Sequence, residues 1–258
     1  MNSMKKVLLL LSVLILPMYL TAQDEEIDLS FDNEPLTEDA RSYFVLAGGI
    51  TFDWLMIKED YLNSFCDCPD LLLSSPIQLT GGQGVTGIPW VKNLRVGVFG
   101  YGGSVESNQI DRPMSTANDS VINGSLQTSL AASMFGFSLH YGYVPFEHFA
   151  ILGGVNAGWG DITYEIFASS TTIDDVKQQG DFGTDRLVKN YFFAMPNIQL
   201  EYALANFIII RADASYNLTI GQDSKWTHNN IGSSTVNPNF DISGLKIGFG
   251  VMVGLVNF

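Results

Sequence analysis

The chain has 258 residues, with 27 acidic against 13 basic side chains and a net charge of −14. That balance excludes the basic footprint that nucleic-acid binding requires. Charged residues make up 16 % of the chain and hydrophobic ones 46 %, against roughly 25 % charged in ordinary soluble domains; the excess apolar content needs somewhere to go.

The sequence begins MNSMKKVLLLLSVLILPMYLTAQDEE, with Lys5 and Lys6 ahead of an apolar run from Val7 to Leu20 and small residues Thr21 and Ala22 after it. This is the pattern of a cleaved secretory signal over residues 1–23. The run is shorter than the roughly 20 apolar residues of a spanning helix. Cleavage would take 13 basic residues to 11 and the net charge from −14 to −16. Residues 24–42 are acidic with no apolar period, which predicts a flexible periplasmic tail. Beyond the signal no apolar run is long enough for a spanning helix, so the oil must be carried by alternating strands.

From Tyr43 onward, two-residue alternation predicts strands at 43–57, 76–89, 94–107, 127–145, 149–167, 190–204, 207–221 and 241–257. Their connections alternate in length: WVKN, FEH and AN are short, while the loops after the first, third, fifth and seventh strands are long and polar. Antiparallel membrane barrels have this asymmetry, with short periplasmic turns and long extracellular loops. In the last strand Leu245, Ile247, Phe249, Val251, Val253 and Leu255 share one parity, against Lys246, Gly248, Gly250, Met252 and Gly254. In 207–221, Ile208, Ile210, Ala212, Ala214, Tyr216, Leu218 and Ile220 oppose Arg211, Asp213, Ser215, Asn217 and Thr219. The polar parity is mostly small and hydrogen-bonding, which suits a narrow polar lumen better than a water-facing surface. The prediction is an all-β fold, a single transmembrane up-and-down antiparallel barrel of about eight strands over residues 43–258. A ten-stranded variant stays open, because 76–89 is rich in glycine and weakly patterned. In 149–167, Asp161, Thr163 and Glu165 share parity with Ile151 and Val155, which predicts either an inward lower half or a phase-shifting bulge near Gly158 and Gly160. Tyr43, Trp90, Tyr143, Tyr164, Tyr191, Tyr202, Tyr216 and Trp226 are expected in aromatic girdles at the lipid headgroups.

With its export signal, its alternating strands and its terminal Phe258, the chain resembles the small eight-stranded outer-membrane barrels of the OmpA, OmpX and OmpW kind. That resemblance implies residence in the bacterial outer membrane among lipids and lipopolysaccharide. It also implies insertion by the barrel-assembly machinery, with Phe258 as the assembly signal, and the possibility of envelope protein partners. OmpW-like members would imply a conduit for small or apolar solutes, and lipid-modifying barrels an enzyme.

The lumenal parity gathers Asp53, Arg95, His140, Gln199, Glu201, Arg211, Asp213 and Lys246. Eight strands leave room only for side chains, so these residues are expected to pair as a polar plug. Glu201 and Arg211 should face each other across the turn at Ala205 and Asn206. No cofactor, catalytic residue or metal is predicted. Gly82, Gly84 and Gly87 have the spacing of a dinucleotide loop, but no helix follows them. Ser224, His228 and Asp223 form the best candidate for a nucleophile with its base and orienting acid. Cys66 and Cys68 are expected as a small bridge or as loop thiols. The leucines of DLLL, from Asp70 to Leu73, should fold against the rim or offer an apolar contact.

Overall fold

The computed structural model describes residues 43–58, 63, 70–115, 121–169, 185–220, 226–228, 232–234 and 241–257. The predicted signal and tail, Cys66, Cys68, Asp223, Ser224 and Phe258 lie outside the described residues. No helix among the described residues is long and apolar enough to cross a membrane. The elements are β1 (Phe44–Met56), β2 (Ile77–Gly87), β3 (Leu94–Glu106), β4 (Ile110–Ser115), β5 (Val121–Phe146) and β6 (Phe149–Ser169). They continue with β7 (Asp185–Ala205), β8 (Ile208–Ile220), β9 (Trp226–His228), β10 (Gly232–Ser234) and β11 (Gly244–Asn257).

Eight of these close a ring. β1, β2, β3, β5, β6 and β7 pair in sequence, β7 pairs β8, β8 pairs β11, and β11 returns to β1. All the ladders are antiparallel, and β1 meets β11 from Phe44↔Asn257 to Met56↔Leu245. Among the described residues the barrel therefore has eight strands, and the three further strands belong to the long-loop side, where β4 pairs β5, β9 pairs β7 and β10 pairs β9. Sequence alternation locates the eight ring strands; it misses the three short ones, which sit in loop-like composition.

The wall is uneven in height. β5 spans 26 residues and β6 and β7 span 21 each, against 13 for β1 and β8. That difference resolves the phase problem of β6. Its ladders to β5 and β7 run unbroken through Gly158 and Gly160, so there is no bulge there and no inward turn. Asp161, Thr163 and Glu165 stay on the outer face because the strand has already risen past the apolar belt. There Asp161 accepts a hydrogen bond from Ser133, and Arg186 Nε lies 3.1 Å from Glu165 Oε1.

β2 is weakly patterned because its bulky residues point inward: Ile77, Leu79, Gln83 and Val85 are buried, while Thr80 and Gly82 face out. Gly82, Gly84 and Gly87 are therefore strand residues, not a phosphate loop. A Cβ on Gly87 would lie 2.7 Å from the Phe44 ring.

Pro196 marks a discontinuity. The β6 ladder passes through Val155↔Pro196, but the β8 ladder jumps from Ala194↔Leu218 to Asn197↔Ser215. Proline has no amide proton, so the missing donor faces β8. Asn197 Nδ2 donates to the Met195 carbonyl at 3.4 Å beside the gap. Replacing Pro196 by Ala supplies an amide to this seam and should raise stability by about 0.5–1.5 kcal/mol, the net value of one hydrogen bond. The measurement is the urea midpoint of the bilayer-folded chain; an unchanged or lower midpoint would mean the seam does not close.

Candidate functional site

The lumen is built in layers, because the inward parity of the strands changes character along their length. At the short-turn end Tyr43, Val45, Val85, Val144, Leu152, Ile209 and Met252 form a buried apolar layer. At the long-loop end a larger one contains Leu55, Ile77, Leu79, Phe99, Met134, Ile162, Phe193 and Trp226. The predicted lumenal charges lie between them. The sequence predicts a narrow polar lumen; the ion-paired network occupies its middle, while toward the long loops the inward face is mainly apolar with Lys189, Thr128 and Asn217 buried among it, since an eight-stranded interior is filled by side chains and apolar ones fill it without unmet hydrogen bonds.

Two charge clusters make up that middle. Glu201 is fully buried and accepts Arg95 Nη1 at 2.8 Å on both oxygens, Arg211 Nε at 2.7 Å, and the Tyr43 hydroxyl. Glu201 and Arg211 are register partners across the turn. Arg95 Nη2 donates to Gln199 Oε1 and Arg211 Nη1 to Gln83 Oε1, while Gln199 Nε2 lies 3.2 Å from His140 Nε2. In the second cluster Lys246 Nζ donates to Asp53 and, at 2.9 Å, to Asp213, and it sits 5.0 Å from the centre of the Tyr101 ring. The structure thus brings all eight predicted lumenal residues into two adjoining groups. The positive excess of Arg95, Arg211 and Glu201 balances the negative excess of Lys246, Asp53 and Asp213.

Sequence reasoning misses Tyr43 and Gln83 as members of this network. Gln83 lies in the strand with the weakest pattern, though its parity with Asp53 across the β1–β2 ladder could have placed it. Tyr43 is expected in a girdle. Along with Tyr164, Tyr191 and Trp226 it is instead buried, whereas Trp90, Tyr143, Tyr202 and Tyr216 do lie outside. The four buried rings share the inward parity of their strands, and nearness to a strand end outweighs that parity in the expectation.

The DLLL segment divides. Leu71 and Leu73 are buried and Leu72 is exposed, with Asn63 bonding both the amide and the carbonyl of Leu73 and Thr128 Oγ1 donating to the Leu71 carbonyl. His228 is exposed on β9, and its suggested partners Ser224 and Asp223 are outside the described residues. Among the described residues no group of three or more His, Cys, Asp or Glu side chains is arranged to hold a metal ion.

The outer surface decides the setting. Leu46, Ile50 and Phe52 on β1, Phe135, Phe137 and Leu139 on β5, Ile198 and Leu200 on β7, and the row from Leu245 to Leu255 on β11 are all exposed. That row has the length of a tilted transmembrane strand, about 9–11 residues. Aromatic pairs join neighbouring strands on this face, Phe52 with Phe249 at 5.3 Å and Phe135 with Trp159 at 5.4 Å. A closed ring with its charges inside and an apolar belt outside is suited to hydrocarbon and not to water. The chain is a transmembrane antiparallel β-barrel.

No family model and no curated protein matches the sequence. Solved structures similar to it include Ail, the attachment invasion locus protein of Yersinia pestis, in complex with the heparin analogue sucrose octasulfate. That structure is 10 % identical over 84 % of this chain and 99 % of its own, with a TM-score of 0.38. A major outer membrane protein of Thermus thermophilus is 9 % identical over 82 % and 99 %, with a TM-score of 0.43. The outer membrane protease OmpT of Escherichia coli is 9 % identical over 88 % and 99 %, with a TM-score of 0.33.

Two substitutions probe the lumen of this barrel. Glu201→Gln leaves two buried guanidiniums without their counter-charge and should cost about 3–5 kcal/mol, the range for breaking a buried pair, read as a lower urea midpoint in vesicles. Gly248→Ala would place a Cβ 2.0 Å from Asp53 Oδ1 and 2.9 Å from Asp213 Oδ1. It should reduce the folded, heat-modifiable fraction on gels, because Lys246 pins both carboxylates over that glycine.

Proposed function

We propose that the chain works as a sealed, non-enzymatic barrel that presents its raised long-loop side to partners outside the cell. The layered lumen carries this reading: an apolar layer closes each end, and the ion-paired residues between them are held by one another. A pore for ions would need a continuous polar path, and both apolar layers interrupt one. The part of the wall that stands above the belt supports the second half of the reading. On its outer face Gln127, Ser133, Asp161, Glu165, Arg186 and Asn190 replace belt residues, and its inner face packs Leu130, Ile162, Tyr164 and Leu187 into a rigid core. A stiff sheet with a polar face is a suitable platform for surface contacts.

On this reading, lipopolysaccharide surrounds the base of the raised sheet and envelope or surface proteins are its partners. The barrel-assembly machinery inserts the chain, and the predicted signal, removed on export, brings it to the periplasm.

The test is a planar-bilayer recording of the refolded mature chain, its folding first verified by a heat-dependent gel shift. Folded protein should insert without discrete current steps. Regular unitary steps from the shifted species would overturn the sealed reading in favour of a conduit.

A further inference from the structure

At the short-turn end one side chain runs from the apolar layer into the charged one. Tyr43 is buried just ahead of β1, and its ring is the one aromatic group in that layer among the described residues, beside aliphatic neighbours such as Val45, Val85, Leu152 and Ile209. Its hydroxyl donates to Glu201. The ring lies against bare backbone at Gly142, where a Cβ would come 3.4 Å from Tyr43 Cδ1. Tyr43 thus stands between the short-turn end of the lumen and the cluster of Glu201, Arg95 and Arg211.

A side chain, not a strand, takes its amide. The β1–β11 ladder starts at Phe44↔Asn257, and the β1–β2 ladder starts at Leu46↔Thr86. In place of a β2 partner, Asn93 in the β2–β3 turn accepts the Tyr43 amide on Oδ1 at 2.9 Å. Asn93 is itself fixed: its φ of 61° lies in the left-handed region that asparagine tolerates, and its carbonyl accepts Gly142 N at 2.9 Å. One buried turn residue therefore fastens the entry of the chain to β5.

We propose that Tyr43 is a movable stopper and Asn93 its catch. With Tyr43 seated, the ion cluster is closed to the short-turn side; with Tyr43 swung out, water and small solutes reach Glu201 from that side while the long-loop layer stays shut. Two features set Tyr43 apart from ordinary core packing. Its backbone lies ahead of the first rung of both β1 ladders, so it can leave with the ring strands still paired. Glu201 also keeps Arg95 and Arg211 when the hydroxyl goes, so the carboxylate is not stranded. The space left behind ends at charged groups, and a space of that kind fills with water where an apolar one stays dry. The proposal rests on the sealed reading above and adds one end that can open.

The test uses the full mature chain in lipid nanodiscs with Cys66→Ser and Cys68→Ser, which removes both native thiols. A reporter, Ala150→Cys, is placed at a fully buried position whose register partner is Glu201. Its modification by 2-aminoethyl methanethiosulfonate is followed by mass, on protein that shows the heat-dependent gel shift. The seated stopper should leave the reporter unreactive. Tyr43→Ala should raise the rate on the order of 100-fold, since a rare local opening becomes permanent. Asn93→Gly keeps the φ and removes the catch, and should raise it about two- to tenfold, the population change from one lost hydrogen bond. A control thiol from Ala132→Cys in the long-loop layer should stay unreactive in both. No gain at Ala150→Cys in either variant would overturn the stopper and leave the sealed reading intact. Equal gains at Ala132→Cys would also refute it, as a general loosening of the barrel. A reporter that reacts freely beneath the wild-type Tyr43 would sink the sealed reading and the stopper together. Should Tyr43→Ala not fold, Asn93→Gly and Tyr43→Phe carry the same readout.

Discussion

A strand that crosses hydrocarbon has no water to satisfy its amides and carbonyls, so every one of them must find a neighbouring strand. The pairing of β1 with β11 is therefore the contact on which this structure depends: without it two edges would face lipid, and the other seven ladders would form an open sheet. Closure also fixes which side is which. Once the ring exists, side chains of one parity have only lipid to meet and those of the other have only each other.

The inward set then has to solve a packing problem in a space about one side chain across. Apolar residues fill both ends with no hydrogen-bond requirement. The middle is filled by long charged side chains: Arg95 on β3 reaches across the lumen to Glu201 on β7, while Arg211 on β8 and Lys246 on β11 meet carboxylates on the strands beside them. Buried charges of this kind are costly one at a time and acceptable only as a complete set. Neutral groups extend the set: Gln83, Gln199 and Tyr43 supply bonds that the ions cannot make among themselves. Tyr43 has a second role, since its ring belongs to the apolar layer at the short-turn end and its hydroxyl ends in the charged one. One residue thus joins two layers of different chemistry at the point where the chain enters the barrel.

Much of this is legible because period two is a strong signal wherever the two faces meet unlike surroundings. β8, β11 and the outer half of β7 have that contrast, and they locate both the strands and the lumenal charges. The signal fails where the contrast fades. In β2 the inward residues are apolar and the outward ones small, so its pattern is reversed and weak. In β6 the surroundings of one face change from lipid to water part-way up, and a constant parity reads as a change of phase. β4, β9 and β10 are too short and too polar to be seen. The aromatic residues near strand ends divide between girdle and lumen according to parity, which shows that parity and not height determines where a ring goes in a closed barrel.

The balance inside the lumen has an electrical consequence. Arg95, Arg211 and Lys246 are matched by Asp53, Glu201 and Asp213, and the lipid-facing belt among the described residues carries no charge. These six side chains thus sum to zero, and the chain's formal charge of −14 comes from residues outside the two clusters. A voltage across the membrane would exert no net force on the two clusters together. The protein's electrophoretic mobility, and its repulsion of other acidic surfaces, would be set by the charges outside these two clusters.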